Sequence, residues 1–339
     1  MSGYEVWLGQ SGMFQAECFE LIELLKNLND DYLIIKNNYT EDFDWILERK
    51  ARENIALPGT VGVYTSGTTS EPKLIVKSWN QVIENKKGNG TVGDRWLLTY
   101  SPGRWAGLSV IAHILKHGCE LMVPESLHIN DICKEIPFCT HISMTPSLFR
   151  KALITGSKLE NPALKQITFG GEPATQAVLD QARSMWPNAK VTHVYASTEL
   201  GDLVACSDGF EGFDKLPGVL SESGELIIGE FFTGDLWRYE NGRFQFVGRN
   251  TDAINVGGAK VMPYEVEKII NDIPGVVECR VFGVSSALLG SIVCAEYRGQ
   301  QSSMELTVLL RTLLPKYAVP RLIKVEELKL TDAGKVGRR

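Results

Sequence analysis

The sequence predicts an α/β protein in which helices cover a mostly parallel sheet, with a small β-meander or barrel and then a small α+β domain. Between residues 60 and 200, strand-like apolar runs alternate with helical segments, which is typical of a parallel sheet. After Asp202, short strands follow one another through Ser-Gly and Asn-Gly turns, which favour antiparallel pairing. Beyond residue 250, helices and strands mix again in a compact segment.

Residues 1–57 are predicted to form a short N-terminal appendage that is mainly helical. A strand over residues 32–35 and a further helix over 43–51 follow a first helix. The apolar residues that recur at helical spacing in that first helix are Phe14, Cys18, Leu21, Ile22 and Leu25.

Residues 58–249 are predicted to form the main domain. Its helices are expected over 108–116, 146–153 and 173–185. Its strands are expected over 61–64, 74–76, 96–100, 120–123, 140–143, 166–169, 191–194, 226–228, 236–239 and 243–247.

A domain boundary is predicted near residues 248–251, which leaves residues 250–339 as a C-terminal unit. Pro263 favours the first turn of a helix over 264–271, because its missing N–H would be unpaired there in any case. Strands are expected over 276–284 and 292–297, and a second helix over 304–314. This pattern indicates a compact α+β domain.

Charge and cysteine content favour some classes of protein over others. The net charge of −6 gives no electrostatic case for nucleic acid binding. No apolar run reaches the length of a membrane span, and the first residues lack a signal-peptide pattern. Seven cysteines without a C-x-x-C pair indicate reduced thiols and a cytoplasmic protein. Cys133, Cys139 and His141 lie close in sequence, but their spacing matches no zinc pattern, which favours a structural role.

Residues 64–73 read Tyr-Thr-Ser-Gly-Thr-Thr-Ser-Glu-Pro-Lys and lie between two predicted strands. Gly67 allows the backbone to approach a ligand closely, and Lys73 supplies a positive charge. Hydroxyl groups suited to phosphate oxygens come from Ser66, Thr68, Thr69 and Ser70. The segment does not match the Walker pattern, so a P-loop NTPase is disfavoured. A polar hairpin turn is the alternative.

This loop and the motifs that follow it resemble those of the adenylate-forming superfamily, which includes acyl-CoA synthetases, stand-alone adenylation domains and luciferases. The order of the motifs carries the resemblance. Those motifs are Tyr-Ala-Ser-Thr-Glu at 195–199, Thr-Gly-Asp at 233–235, Gly-Arg at 248–249, Ile-Asn-Val-Gly-Gly at 254–258, Pro-x-Glu-x-Glu at 263–267 and Asp-Ala-Gly-Lys-x-x-Arg at 332–338.

The resemblance implies an enzyme that uses ATP and Mg²⁺ to join a carboxylic acid to AMP, with release of pyrophosphate. The acyl group then passes to the thiol of CoA or of a carrier-protein phosphopantetheine. A mobile C-terminal subdomain would rotate between the two half-reactions. Fixed positive charge and positioning, rather than a covalent nucleophile, lower the barrier of such a reaction.

Individual roles also follow from the resemblance. Glu199 is the expected Mg²⁺ ligand and acts with Thr198, while Lys335 is the expected catalytic lysine. The phosphates are assigned to Thr65, Ser66, Gly67, Thr68, Thr69 and Lys73. The adenine is assigned to Gly170, Gly171, Glu172, Tyr195 and Ala196, the ribose to Asp235 and Arg249, and the thiol passage to Gly257 and Gly258.

Each of these motifs has a plain structural alternative when it is taken alone. Glu199 would be a solvated surface acid, and a terminal lysine such as Lys335 would be a frayed side chain. A Gly-Asp pair, or glycines between a strand and a helix, would simply make a turn.

The sequence says less about the identity of the acid that the enzyme would activate. Amino-acid-activating members carry an aspartate in a Phe-Asp-x-Ser motif, and residues 140–146 contain no such aspartate, which favours an acid without an α-amine. Arg104, Trp105 and Thr145 are candidate wall residues of the acid pocket. The Arg-Trp pair could equally be a packing anchor, or could indicate an anionic group on the acid.

The chain departs from the family pattern in several places. Ala196 replaces a glycine, and the hinge falls on Thr251 or Asp252. The N-terminal subdomain looks truncated, because family members carry a whole α/β subdomain before the phosphate loop. Its loss makes a homodimer or a partner protein more plausible. A different function therefore stays open, that of a catalytically weak nucleotide-binding protein that acts through a partner.

We predict that Lys335→Ala abolishes adenylation but spares thiol transfer. Losing a fixed charge at the transferring phosphoryl group typically costs about 3–4 kcal/mol, or a few hundred-fold in rate. Pyrophosphate exchange would measure adenylation, and transfer from a preformed acyl-adenylate would measure the second step. Equal impairment of both steps would contradict the rotation mechanism.

Gly258→Leu is expected to show the reverse pattern. Its side chain would obstruct the approach of the thiol and leave ATP chemistry nearly intact. The same two assays test it, and a loss of exchange without a loss of transfer would contradict the assignment of this turn.

Overall fold

The computed structural model describes residues 3–8, 14–28, 32–37, 58–64 and 73–328. The chain divides into two compact units. The first consists of Met1–Glu172 and Ala182–Ser207, and the second of Pro173–Gln181 and Asp208–Arg339. Among the described helices, none combines the length and the apolar character that crossing a membrane requires.

A four-stranded sheet forms one part of the first unit. Strands β1 (Gly3–Leu8), β2 (Tyr32–Asn37) and β3 (Thr60–Tyr64) run parallel to one another, and β4 (Leu74–Ser78) pairs antiparallel with β3. Residues of the N-terminal appendage thus contribute two strands to this sheet. The predicted first helix and the strand over 32–35 are confirmed, whereas β1 was not predicted.

The second sheet of this unit is six-stranded and mostly parallel, in the order β10-β9-β8-β7-β5-β6. Its antiparallel member is the edge strand β10. This arrangement confirms the predicted parallel sheet. The strands are β5 (Arg95–Leu97), β6 (Glu120–Met122), β7 (His141–Met144), β8 (Gln166–Phe169), β9 (Lys190–Ser197) and β10 (Gly201–Cys206).

Helices of the first unit begin and end where local chemistry favours it. Helix α5 begins beside the N-cap Thr145, whose hydroxyl accepts a hydrogen bond from Leu148 N at 3.0 Å. Helix α3 ends at Gly118, which adopts a left-handed conformation. The helices are α1 (Phe14–Lys26), α2 (Trp79–Glu84), α3 (Trp105–His117), α4 (Ile129–Glu135) and α5 (Pro146–Ile154).

Helix α1 packs into the core of the first unit. Leu21 is fully buried, and Trp79 Nε1 donates to the carbonyl of Leu25 at 2.9 Å. The strands β2 and β3 supply facing aliphatic side chains to the same cluster. The predicted helix over 43–51 lies outside the described residues.

Helix α6 (Gln176–Met185) starts later than predicted, because the carbonyl of Thr175 accepts the first helical hydrogen bond, from Leu179 N. The start of this helix belongs to the second unit. Gln176 N donates to the carboxylate of Glu211 at 2.9 Å, and Glu211 N donates back to the Gln176 side chain at 3.1 Å. This reciprocal pair ties residues 173–181 to the second unit.

The second unit contains the predicted antiparallel meander. Asn241 and Gly242 both have positive φ in the turn between β13 and β14, as the Asn-Gly signal predicts. The strands are β11 (Val219–Leu220), β12 (Glu225–Ile228), β13 (Phe231–Glu240) and β14 (Arg243–Arg249).

A mixed sheet with two helices completes the second unit. Helices α7 (Pro263–Asn271) and α8 (Ser303–Leu313) pack against it around buried Ile270, Tyr297 and Leu310. The strands are β15 (Ile254–Val256), β16 (Ala259–Val261), β17 (Val276–Ser286), β18 (Gly290–Gly299) and β19 (Arg321–Lys324). The domain boundaries at 57/58 and 249/250 stay predictions.

Leu21→Ala is predicted to destabilise the protein by about 2–5 kcal/mol, because it opens a cavity in a closed core. Urea unfolding followed by tryptophan fluorescence would measure it. Phe19→Ala on the same helix is the matched control, since Phe19 is 53% exposed. Equal effects of the two substitutions would contradict the placement of α1 in the core.

Candidate active site

The Tyr-Ala-Ser-Thr-Glu motif lies where β9 turns into β10. Tyr195 and Ala196 are on β9, while Thr198 and Glu199 form the turn. The hydroxyl of Ser197 accepts a hydrogen bond from Leu200 N at 3.0 Å and so closes the turn. The Glu199 side chain is exposed, so its carboxylate is accessible to a ligand.

The glycine motif follows directly after β8. A Cβ on Gly170 would lie 3.0 Å from the Val194 side chain of the neighbouring strand, so a larger residue would require that side chain to shift. Gly171 has a φ of +81°, which other residues rarely adopt. The carbonyl of Gly170 accepts a hydrogen bond from the hydroxyl of the buried Tyr100 at 3.3 Å. Tyr100 was not singled out in the sequence, since a tyrosine at the end of an apolar run has no distinguishing signal.

Glu172 and Thr145 meet at the N-terminus of α5. The Glu172 carboxylate accepts a hydrogen bond from Ser147 N at 3.0 Å, and Thr145 is fully buried as the helix cap. Both residues therefore have a structural task at the point where β7 and β8 end. Their assignments to the adenine and to the acid pocket stay predictions.

Trp105 is buried, and two lysine side chains contact its ring. The ammonium groups of Lys77 and Lys86 each lie 5.1 Å from the centre of its ring, and its Nε1 donates to Asp202 at 3.3 Å. Lys86 also forms an ion pair with Asp202 at 2.6 Å. Neighbouring Arg104 is the N-cap of α3 without a capping side-chain hydrogen bond. The wall assignment of Arg104 and Trp105 stays a prediction.

Sequence reasoning missed the lysines and the aspartate around Trp105. Lys77 donates a hydrogen bond to the backbone carbonyl of Glu199 at 2.7 Å, across 122 positions of the chain. Burial lowers the pKa of Lys77, although the carboxylates of Glu199 and Asp202 oppose this. Asp202 lies three positions after Glu199, and this closeness in sequence is the feature that could have singled it out.

Two expected parts of the site, the phosphate loop and the catalytic lysine, lie largely outside the described residues. Lys73 is exposed and directly precedes β4. The rest of the phosphate loop, Thr65, Ser66, Gly67, Thr68 and Thr69, lies outside the described residues, as does Lys335. Their roles stay predictions.

In the second unit, the Thr-Gly-Asp motif forms a fixed corner of the meander. Thr233 donates to the carbonyl of Leu226 at 2.8 Å, and Gly234 N donates to Glu225 at 2.9 Å. Asp235 is only 4% exposed and pairs across the ladder with Arg249, whose Nε lies 3.0 Å from its Oδ1. The corner therefore holds a carboxylate in one orientation.

The Gly-Gly motif is the turn between β15 and β16. Gly257 and Gly258 have φ values of +57° and +90°, and Gly257 N donates to the carbonyl of Leu289 at 2.8 Å. A Cβ on Gly258 would have no neighbour within 4 Å, so that face of the turn is open. The predicted hinge residues Thr251 and Asp252 lie in a single 3₁₀ turn.

The segment with Cys133, Cys139 and His141 is packed rather than open. Cys139 donates to the carbonyl of Ile136, and burial raises the pKa of its thiol to about 12. His141 stacks on Trp96 at 4.7 Å, and its Nδ1 lies 4.0 Å from Asp94. In the described part of the chain, no group of three acidic, cysteine or histidine side chains is arranged to hold a metal ion.

Two protein-family models match this chain. The model of AMP-binding enzymes matches residues 55–221, and the model of their C-terminal domain matches residues 265–335, which together is well over half of the chain. The chain belongs to the adenylate-forming superfamily. It falls among the AMP-forming acid–thiol ligases, which activate a carboxylic acid as an acyl-adenylate and transfer it to a thiol.

Individual relatives of this adenylate-forming enzyme are distant. It is 25% identical to a 2-succinylbenzoate–CoA ligase of Listeria monocytogenes, over 81% of this chain and 68% of that one. It is 26% identical to a 3,4-dihydroxybenzoate–[aryl-carrier protein] ligase of Bacillus anthracis, over 81% and 72%. The chain thus spans about two thirds of these proteins.

Solved structures share the fold of this adenylate-forming enzyme. A variant of Escherichia coli MenE with bound OSB-AMS gives a TM-score of 0.75 at 19% identity, over 96% of this chain and 84% of that one. MatB of Rhodopseudomonas palustris with bound ATP gives 0.69 at 21% identity, over 82% and 66%.

Asp94→Asn is predicted to destabilise the protein in a pH-dependent way. Burial opposes ionisation of Asp94, but hydrogen bonds from Lys165 and Thr91 outweigh it and hold its pKa at about 2. A carboxyl group whose pKa is lower in the folded than in the unfolded protein stabilises the fold at pH values above its unfolded pKa. This stabilisation is lost as the pH falls through the folded pKa. Allowing for the exposed Lys165 side chain, we expect a loss of about 1–2 kcal/mol at pH 7.

Chemical unfolding of both proteins at several pH values would test this. The difference in unfolding free energy should shrink between pH 4 and pH 2. A difference that stays constant over that range would contradict the role of the ionised carboxylate.

Proposed function

We propose that this chain uses ATP and Mg²⁺ to activate a carboxylic acid without an α-amine, and passes the acyl group to a thiol of CoA or of a carrier-protein phosphopantetheine. Asp235 and Arg249 would hold the ribose, and Glu199 the metal ion. Lys335 would supply the charge at the transferring phosphoryl group.

The observation that carries the proposal is the buried, oriented carboxylate of Asp235. An ionised carboxylate accepts several hydrogen bonds, and two adjacent ribose hydroxyls offer two donors. Arg249 Nε donates to Oδ1, and the hydrogen bonds of Thr233 and Gly234 fix the backbone corner that carries Asp235. Burial of a charge is costly unless it is paired, and Arg249 supplies that pairing for Asp235.

The residues around Glu199 fit a magnesium ion that is shared with a nucleotide. Mg²⁺ is usually held by one or two carboxylates together with substrate phosphates, and it keeps several waters. One exposed carboxylate on a closed turn matches that need. When bound, the metal ion would neutralise phosphate charge, while Glu199 would fix its position.

The substrates named for the relatives guide the choice of acid. Those proteins act on 2-succinylbenzoate and 3,4-dihydroxybenzoate, so aryl acids come first in a test panel. The open Gly257–Gly258 turn is compatible with a pantetheine arm, which CoA and carrier proteins share. A carrier protein and a second copy of this chain are the proposed partners.

A cytoplasmic location belongs to the same proposal. All seven cysteines are free, and burial raises the thiol pKa of Cys18 to about 12. Thiols of this kind suit a reducing compartment.

Pyrophosphate exchange tests the first half-reaction directly. Exchange should appear with at least one aryl or aliphatic acid in a panel. If ATP binds but no acid supports exchange, the proposed activity is wrong, and the nucleotide-binding alternative that acts through a partner gains support. Size-exclusion chromatography of the same sample tests the homodimer.

Asp235→Asn is predicted to weaken ATP binding about tenfold or more, since hydrogen bonds to charged groups contribute about 1.5–3 kcal/mol. The variant should also lose the preference for ATP over 2′,3′-dideoxy-ATP, because no carboxylate would remain to accept hydrogen bonds from the ribose hydroxyls. Isothermal titration calorimetry would measure both affinities.

Asp208→Asn is the matched control, because Asp208 also pairs with an arginine in this unit, Arg243, at 2.6 Å. This control should leave ATP affinity unchanged. Retained discrimination in the Asp235 variant would show that the ribose is bound elsewhere.

A further inference from the structure

Lys77 links two parts of the first unit that are distant in sequence. It lies on β4, four positions after Lys73, and its ammonium donates to the backbone carbonyl of Glu199 at 2.7 Å. The bond goes to the main chain of the turn rather than to the carboxylate. It can therefore fix the turn while the Glu199 side chain stays exposed.

The position of Lys77 is itself determined by its neighbours. Its ammonium lies over the ring of Trp105, and Lys86 lies over the same ring. Such contacts are attractive because the ring face carries partial negative charge. Lys86 is almost fully buried and is paired with Asp202, which also accepts from Trp105 and Ser109.

Asp202 connects this network back to the same turn. It follows Gly201, whose φ of +85° starts β10, and the β9–β10 ladder shifts register between Asp202 and Val204. The turn is thus held from the Glu199 carbonyl on one side and from Asp202 on the other. Charges in the group are balanced, with two lysines against Glu199 and Asp202.

We propose that Lys77 is a positioning residue for Glu199. The Trp105 ring, which Lys86 and Asp202 also contact, keeps Lys77 in place. The inference rests on the proposed role of Glu199 as the carboxylate that binds Mg²⁺. Lys77 acts through the geometry of the turn and touches neither the metal ion nor the phosphates. Nothing in the local sequence around Lys77 predicts this contact.

Charge and geometry give opposite expectations for the loss of Lys77. Removing a positive charge beside Glu199 would strengthen the attraction for Mg²⁺. Loosening the turn would weaken Mg²⁺ binding, because the carboxylate would spend less time in place. The sign of the effect therefore distinguishes a positioning role from an electrostatic one.

The test measures ATP affinity by calorimetry with Mg²⁺ and with EDTA, and takes the ratio as the metal response. K77M should reduce this response about five- to tenfold and change the affinity in EDTA less than twofold. K77R should restore it, since arginine keeps both donor and charge. K77Q, which is polar, is the second loss variant if K77M does not fold.

A double-mutant cycle shows whether Lys77 acts through Glu199. K77M combined with E199Q should lower the metal response no further than E199Q alone. K324M is the matched control, because Lys324 also donates to backbone carbonyls, those of Gln300 and Gln301, and none of these residues belongs to the Lys77 network. Its metal response should equal that of the unmodified protein.

The possible failures are separable. If E199Q keeps the full metal response, the proposed role of Glu199 is wrong and this inference fails with it. If E199Q loses the response but K77M and K77Q keep or increase it, the positioning role alone is overturned. Additive losses in the double variant would also overturn it.

Discussion

The parallel pairing of β7, β8 and β9 is the constraint on which the candidate site depends. Because these strands run in the same direction, their carboxyl ends meet at one edge of the sheet, where ligands of such sheets bind. Thr145, Gly170 and the 198–200 turn each follow the end of one of these strands. Residues far apart in sequence thereby become neighbours, because helical crossovers connect the paired strands.

Two different devices hold the carboxylates of Asp235, in the second unit, and Glu199, in the first. Asp235 is fixed locally, by a hairpin register that places Arg249 opposite it and by hydrogen bonds within its own motif. Glu199 is fixed remotely, through a lysine from another sheet. The first device buries its carboxylate, and the second leaves the carboxylate exposed. This contrast suits the two proposed roles, in which Asp235 binds the neutral ribose hydroxyls and Glu199 binds a hydrated Mg²⁺ ion.

The sequence predicted what local patterns encode. The strand over 166–169 and the Asn-Gly turn were right because periodicity and turn chemistry act within a few residues. Helix α4 was missed, since seven residues give little periodicity. The strand β1 was missed because its pairing with β2 is what defines it. The hydrogen bond from Lys77 to Glu199 was missed for a stronger reason, since a contact across 122 positions leaves no local signature.

The return of residues 182–207 to the first unit, after 173–181 have joined the second, has a practical consequence for dissecting the protein. No single cut in the chain yields both units intact. A fragment ending at Ser207 would carry residues 173–181 without Glu211, the partner of Gln176. A fragment ending at Glu172 would lack β9 and β10. During synthesis, likewise, the first unit stays incomplete until residues 173–181 of the second unit have already been made.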